Sequence, residues 1–412
     1  MTLLYNFAML IYQSFIWLAS KFNNKKASLF LSGRKNVFAL LEQKRLPGER
    51  YVWFHAASLG EFEQGRPIIE NLKQTHPEYK IILTFFSPSG YEVRKNYNGA
   101  DIICYLPMDM SWNVKRFLDI VNPDYAVFIK YEFWMNYLLE LKKRQIKTYI
   151  VSAIFRESQM FFRWYGGYYR SILNSFTHLF VQNDESVRLL HSIGLDNVTK
   201  VGDTRFDRVA DIASNAKDLP VVQLFKRDKK VLVAGSSWPN DEEILLSYFN
   251  QNKDVKLIIA PHEIHEEHLQ SIISKLQRPY VRYTQATTEN VSDADCLIID
   301  CFGLLSSVYR YGEVAYIGGG FGVGIHNILE AAVYGIPVIF GPNYKKFQEA
   351  VDLIELGGAF SIADYTGFSR LMSDLLVDNS SLYASSAAVS NDYSQRNRGA
   401  TIKVLDIILK QQ

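Results

Sequence analysis

Cysteine is nearly missing: Cys104, Cys296 and Cys301 are the only three in 412 residues. They form no CxxC pair, and an odd count makes a poor disulfide framework, so a stapled secreted scaffold is excluded and a reducing compartment is expected. An excess of either charge is lacking too. Lys and Arg number 45 against 43 Asp and Glu, a formal net of +2, so no broad basic field advertises a nucleic-acid partner. There is one long apolar run, no Walker A sequence, no G-x-S-x-G elbow, no short-period repeat and no low-complexity segment. What remains is globular, with 48% hydrophobic and 21% charged residues. Aromatics reach 14%, including 25 Tyr and 26 Phe, enough for large cores and ring-lined grooves. A chain of 412 residues implies about two to three domains.

The one apolar run is Leu3 to Ser20, uncharged, with only Asn6 and Gln13 strongly polar. At about 1.5 Å per residue it just reaches across a hydrocarbon layer of about 30 Å. No Lys or Arg precedes it and no clean small-residue cleavage site follows, which argues against a signal peptide. Lys21, Lys25, Lys26, Arg34 and Lys35 come next, and positive charge on that side places the rest of the chain in the cytoplasm. The alternative is a buried or interfacial helix. Residues 1–36 are thus read as a membrane-anchor or interfacial helix with a basic flank.

From Tyr51 onward, short apolar runs alternate with helical stretches. The first series is 51–58, 80–87, 125–132, 147–153 and 178–183; the second is 229–236, 255–262, 296–301, 314–320 and 337–342. Near-continuous apolar strands separated by helices predict parallel sheets covered on both faces. The fold class expected is α/β, with two doubly wound Rossmann-like domains, 37–215 and 216–412, facing a cleft. Ligands in such sheets bind at the carboxyl ends of strands.

Five strand ends carry candidate chemistry. His55-Ala-Ala-Ser-Leu-Gly-Glu61 passes from a strand into a helix, and Glu61 there is a candidate general base. Ser58-x-x-Glu61 is equally a capping box. Gly318 to Gly324 holds five glycines in seven residues ahead of Asn327-Ile328-Leu329-Glu330. That density predicts close backbone approach and an anion-binding loop before a helix amino terminus, although no G-x-G-x-x-G register fits and Asn327-x-x-Glu330 is again a capping box. His262, His265 and His268 do not make HExxH, and no metal is expected, His262 alone reaching the ligand. Ser236, at the end of the first strand of the second series, and Glu132, at the end of 125–132, complete the set.

In this order the segments resemble the Kdo transferases, which add 3-deoxy-D-manno-octulosonic acid (Kdo) to lipid A precursors. The likeness is carried by Gly33-Arg34-Lys35, HAASLGE (55–61), Ser87-Pro88-Ser89-Gly90, YEFW (131–134), GDTRFD (202–207) with Arg205, HNILEAA (326–332) with His326, and Gly341-Pro342. The resemblance implies the GT-B architecture, CMP-Kdo as donor, lipid IVA as acceptor, the cytoplasmic face of the inner membrane and no cofactor or metal. It assigns the general base to Glu61, and cytidylate to Pro261-His262, Phe302-Gly303-Leu304 and Asn327-Ile328-Leu329-Glu330. Ser236, Glu132, Arg205 and His326 are further candidates. Three positions depart from the family pattern: His262 stands where Arg is usual, Ile154 replaces the Arg of N-A-R, and E-L-W-P-N reads Glu132-Phe133-Trp134-Met135-Asn136. Two other readings are a GT-B transferase with another nucleotide sugar and lipid acceptor, and a non-catalytic membrane-tethered nucleotide-sugar or lipid-binding module.

Overall fold

The apolar run at Tyr51 forms β1 (Arg50–Ala56), in which every residue after Arg50 is buried. A strand hidden on both faces has no polar alternation, as a helix-clad parallel sheet requires. The computed structural model describes residues 2–216 and 218–411; Met1, Lys217 and Gln412 lie outside them. The chain divides into two compact units, Met1–Arg208 with Gly399–Gln412, and Val209–Arg398.

The first unit holds β1 with β2 (Tyr79–Phe85), β3 (Ile102–Tyr105), β4 (Tyr125–Ile129), β5 (Lys147–Ala153), β6 (His178–Val181) and β7 (Val198–Lys200). Their order is β3-β2-β1-β4-β5-β6-β7, and every pairing is parallel. The order reverses between β1 and β4, the switch point where such sheets bind ligands. The second unit repeats the plan with β8 (Lys230–Ser237), β9 (Val255–Pro261), β10 (Tyr280–Arg282), β11 (Cys296–Ile298), β12 (Val314–Ile317), β13 (Val338–Phe340) and β14 (Ala359–Ser361). Here the order is β10-β11-β9-β8-β12-β13-β14, reversing between β8 and β12.

The sequence places the domain join near 215, whereas the division follows Arg208. It also gives the whole carboxyl terminus to the second domain, and this is corrected: Ala400–Lys410 packs in the first unit. Its Ala400, Val404, Leu405 and Ile408 share a core with Ile68, Ile69 and Leu72. The Asp207 carboxylate accepts from the N–H groups of Gly399 and Thr401 at 2.6 and 2.7 Å, fixing the helix start. An amphipathic pattern says that a helix covers a core, not which one.

Thr2–Lys21 is one continuous helix, long and apolar enough to cross a membrane by length and composition. One face docks on the first unit. The Tyr5 hydroxyl donates to Asp109 Oδ2 at 2.7 Å, and Asn6 bonds Ser111 and Asn136 at 2.8 and 2.9 Å. The Asp109 carboxyl, which also accepts from the Asn136 and Tyr137 N–H groups, is pushed up to about 6 by burial against those bonds. Leu3, Leu4, Phe7, Leu10, Ile11, Phe15 and Leu18 are exposed.

Candidate active site

At the switch point of the first sheet, β1 runs into the helix Leu59–Thr75. Glu61 lies in its first turn, and one oxygen, Oε2, accepts from the N–H groups of Ala57 and Ser58 at 2.7 and 3.1 Å. These two bonds hold the carboxylate at the helix start as a cap does. Oε1 makes no hydrogen bond among the described residues. Burial raises the Glu61 carboxyl above its ordinary range and the charge of Glu132 adds to this; the Ala57 N–H, His55 and Lys130 oppose it. A carboxylate with one oxygen unengaged and raised basicity has what a general base near neutral pH requires.

Glu132 follows β4, beyond Lys130, whose φ of 66° is left-handed. A non-glycine residue in that region marks a turn held by its surroundings. Glu132 is buried. Its Oε2 accepts from Trp134 Nε1 at 2.6 Å and lies 3.0 Å from His55 Nε2. The register His55↔Thr84 of β1 with β2 puts His55 Nδ1 2.8 Å from the Thr84 hydroxyl oxygen. Glu61 and Glu132 are thus close enough for the charge of Glu132 to act on Glu61, and each is held through Oε2, Glu61 by two backbone N–H groups and Glu132 by the Trp134 and His55 side chains. The Arg205 guanidinium is paired with Asp203 at 2.7 Å. Ile154, half-buried beyond β5, brings no charge, and the lysine acting on Glu61 is Lys130.

In the second unit the candidates converge on one sheet edge. Ser236 ends β8 with a left-handed φ of 53°, Pro261-His262 ends β9, Phe302-Gly303-Leu304 follows β11, and the glycine loop follows β12. His262 stacks against two rings that also touch each other, with centroids 4.6 Å to Trp238 and 4.5 Å to His326. Trp238 Nε1 donates to His326 Nε2 at 3.1 Å. Burial, helped by the neighbouring His262, lowers the His326 imidazole to about 4, so His326 is neutral at pH 7 with its remaining ring proton on Nδ1. Phe302 stands apart, 80% exposed, after which Gly303 turns at φ 89°.

The glycine loop departs from its expected use. A Cβ on Gly318 would lie 2.1 Å from the Ser236 carbonyl oxygen, and one on Gly320 would lie 2.6 Å from the Gly341 nitrogen. The close approach that these glycines permit is to the domain's own backbone. Many of the loop's donors are also engaged internally: Gly319 N–H reaches Asp241 Oδ2 at 2.9 Å, while those of Gly322 and Gly324 bond the Gly319 carbonyl. The helix expected to follow the loop is the single turn Leu329–Ala332, and Asn327 Nδ2 donates to Glu330 Oε1 at 3.1 Å. Asp241, Trp238 and His55 were not singled out from the sequence. All three lie within two residues of a strand's carboxyl end or in the first turn of the next helix, which is the only signal that marks them.

Glu263, His265 and His268 place one donor atom each within 4.8 Å of one another. Both His268 nitrogens are nevertheless engaged, with Glu242 Oε2 at 3.0 Å and the Glu263 carbonyl at 2.9 Å. His265 Nδ1 accepts the His268 N–H at the start of the helix Glu266–Lys275. A capping and core-pairing role accounts for these residues.

Residues 32–208 match the family model described as 3-deoxy-D-manno-octulosonic-acid transferase. The 3-deoxy-D-manno-octulosonic acid transferase of Aquifex aeolicus is 30% identical over 333 residues, covering 79% of this chain and 86% of that protein. The chain belongs to the Kdo transferase family. The enzyme of the same name from Haemophilus influenzae is 23% identical over 376 residues, covering 88% of this chain and 87% of its own length. Among solved structures, UDP-GlcNAc 2-epimerase from Neisseria meningitidis aligns with TM-score 0.62 at 16% identity, covering 87% of this chain and 100% of that one. MurG from Acinetobacter baumannii aligns at 0.56 and 12% identity, over 88% and 99%. Both share the two-domain GT-B plan that the Kdo transferase sequence pattern predicts.

Proposed function

We propose that the chain transfers Kdo from CMP-Kdo to a hydroxyl of lipid IVA, at the cytoplasmic face of the inner membrane, with Glu61 as general base. The observation that carries this reading is the Glu61 carboxylate: held by two backbone N–H groups on one oxygen, unengaged on the other, and raised in basicity at the switch point of a Kdo transferase. The acceptor hydroxyl oxygen attacks the anomeric carbon and its proton passes to Glu61. The bond from that carbon to the phosphate oxygen breaks, and CMP leaves with the electron pair. Cytidylate is assigned to Pro261-His262, Phe302-Gly303-Leu304 and Asn327-Ile328-Leu329-Glu330. With much of the glycine loop's N–H supply engaged internally, His262 is the side chain placed to donate to the phosphate. CMP should be released only when CMP-Kdo and lipid IVA are both present, and equally in the presence of chelator. Release with another nucleotide sugar, or none with any, would favour one of the other two readings.

The three histidines separate by their contacts. His262→Ala should raise the donor KM with unchanged melting temperature. His268→Ala leaves buried Glu242 without its imidazole partner and should cost about 1–3 kcal/mol of stability, with donor KM unchanged. Titration of donor binding alongside thermal melts checks both, and an equal effect of the two on KM would contradict the assignment.

We also propose that the amino-terminal helix lies in the membrane interface rather than across it. Its Tyr5 and Asn6 side chains are engaged by the first unit while Phe7 and Phe15, 60% and 67% exposed, point away, as in a helix seated at the headgroup boundary. Phe7→Asp with Phe15→Asp should abolish sedimentation with anionic vesicles and leave kcat on detergent-dispersed acceptor unchanged. Persistent vesicle binding would count against this placement.

A further inference from the structure

His55 is a fully buried histidine whose hydrogen bonds admit few protonation states. Nδ1 lies 2.8 Å from the Thr84 hydroxyl oxygen and 3.2 Å from the Thr84 carbonyl oxygen. The carbonyl can only accept. The Thr84 hydroxyl itself donates to the Phe54 carbonyl at 3.3 Å and accepts from Trp53 Nε1 at 2.8 Å. Nδ1 therefore carries a proton, since a bare Nδ1 would set its lone pair against the carbonyl oxygen. On the other side, Nε2 faces Glu132 Oε2 at 3.0 Å. With Nδ1 already protonated, a neutral ring would oppose a lone pair to an ionised carboxylate, buried and away from water, which is costly. The Trp134 Nε1–H reaches the same contact, 2.6 Å from Glu132 Oε2 and 3.1 Å from His55 Nε2; the shorter distance directs it to the carboxylate. A further proton between ring and carboxyl, on either partner, then removes the opposition of the two lone pairs.

We propose that His55 is a positioning residue: it keeps a proton against Glu132, makes the pair neutral overall, and leaves Glu61 the carboxylate available as base. The role rests on the reading of Glu61 as the base. The charged and titratable groups around the pair are few. Thr84 faces the ring from β2, Phe128 meets it edge-on from β4, and Glu132 and Trp134 reach it from the loop after β4. Asp109, beyond β3, is coupled to His55. Glu61 is faced by Glu132, Lys130 and the Ala57 and Ser58 N–H groups. Without the shared proton, Glu132 would stand as a bare carboxylate beside Glu61, and two like charges at one site hold a proton between them. The base would then keep its proton to a higher pH.

Two measurements test this. In the unmodified enzyme at pH 7, ¹⁵N NMR should show the His55 ring protonated at Nδ1, with the signal assigned by its displacement in Thr84→Ser, which keeps the hydroxyl. In His55→Gln the acid limb of the kcat/KM profile should move up by about one pH unit. The rate on that limb should fall about tenfold and recover at higher pH, with CMP-Kdo affinity unchanged. A bare Nδ1 overturns the proposal even if His55→Gln does not fold. An unmoved acid limb, with Glu61→Gln inactive, overturns the positioning role alone. A Glu61→Gln enzyme that keeps its rate overturns the base assignment and this role with it.

Discussion

Glu61→Gln should lower kcat by about 10²–10⁴-fold, the range a general base contributes, while CMP-Kdo binding is unchanged. The same variant discriminates against a purely structural role through its stability. Gln keeps an oxygen for the N–H groups of Ala57 and Ser58, which bond Glu61 Oε2 at 2.7 and 3.1 Å. It also removes a charge that the folded protein disfavours. The carboxyl is raised in the folded state, mainly by burial and then by Glu132. Its contribution to stability is therefore greatest at low pH, where it is protonated in both states. That contribution declines as pH climbs through the unfolded-state value toward the folded one, and stays lowered above it. At pH 7 the ionised group costs stability, so Glu61→Gln should melt no lower than the unmodified enzyme while being nearly inactive. In the unmodified enzyme the acid limb of kcat/KM should lie above the ordinary carboxylate range, and in the Gln variant it should vanish. A variant keeping more than about a tenth of the rate falls outside the general-base range and transfers the role to Glu132.

Gly318→Ala should destabilise the second unit by about 1–3 kcal/mol or more, the cost of forcing extra volume into a packed site. The added Cβ would lie 2.1 Å from the Ser236 carbonyl oxygen and 2.6 Å from the Ser237 Cα. Both obstacles are backbone, at the switch point where β8 and β12 pair side by side, so no flexible side chain can swing aside. Displacing that backbone also moves Ser236 and the loop leading to His326 and Asn327, so CMP-Kdo binding should weaken together with melting temperature. Gly322→Ala is the matched control. Its Cβ would meet only the Gly319 carbonyl oxygen at 3.6 Å, ordinary contact, and it should melt like the unmodified protein. Differential scanning calorimetry and CMP-Kdo titration on the pair decide the point. If Gly318→Ala is as stable as Gly322→Ala, the glycines serve a ligand rather than the domain's own packing.

The strands legible in the sequence are the interior ones. β1, β2, β4, β5 and β6, and β8, β9, β11, β12 and β13, all begin or end within a few residues of an apolar run. The four strands with no counterpart among those runs are β3, β7, β10 and β14, and these are the four edges of the two sheets. They span three or four residues each. An edge strand is paired on one side only and needs no long two-faced apolar run, so its local signal is weak.

By itself the sequence determined the alternating parallel architecture, the positions of strand ends and, through ordered motifs, the family and its candidate residues. Buried strands must be continuously apolar, glycine clusters mark tight backbone, and both facts are local. Tertiary structure alone decided what each candidate does there. Glu61 and Glu132 look alike in sequence, two carboxylates after two strands, but the β1–β2 register brings Thr84 to His55 and His55 to Glu132, whereas Glu61 is held only by the backbone N–H groups of Ala57 and Ser58. The glycines of 318–324 promised ligand contact, but the parallel pairing of β8 and β12 consigns Gly318 to packing against Ser236. Helix Ala400–Lys410 returned to the first unit because Asp207 and the core around Ile68 receive it. Such assignments depend on which distant groups meet, and a hydrogen bond or a steric contact between residues far apart in the chain leaves no periodicity to read.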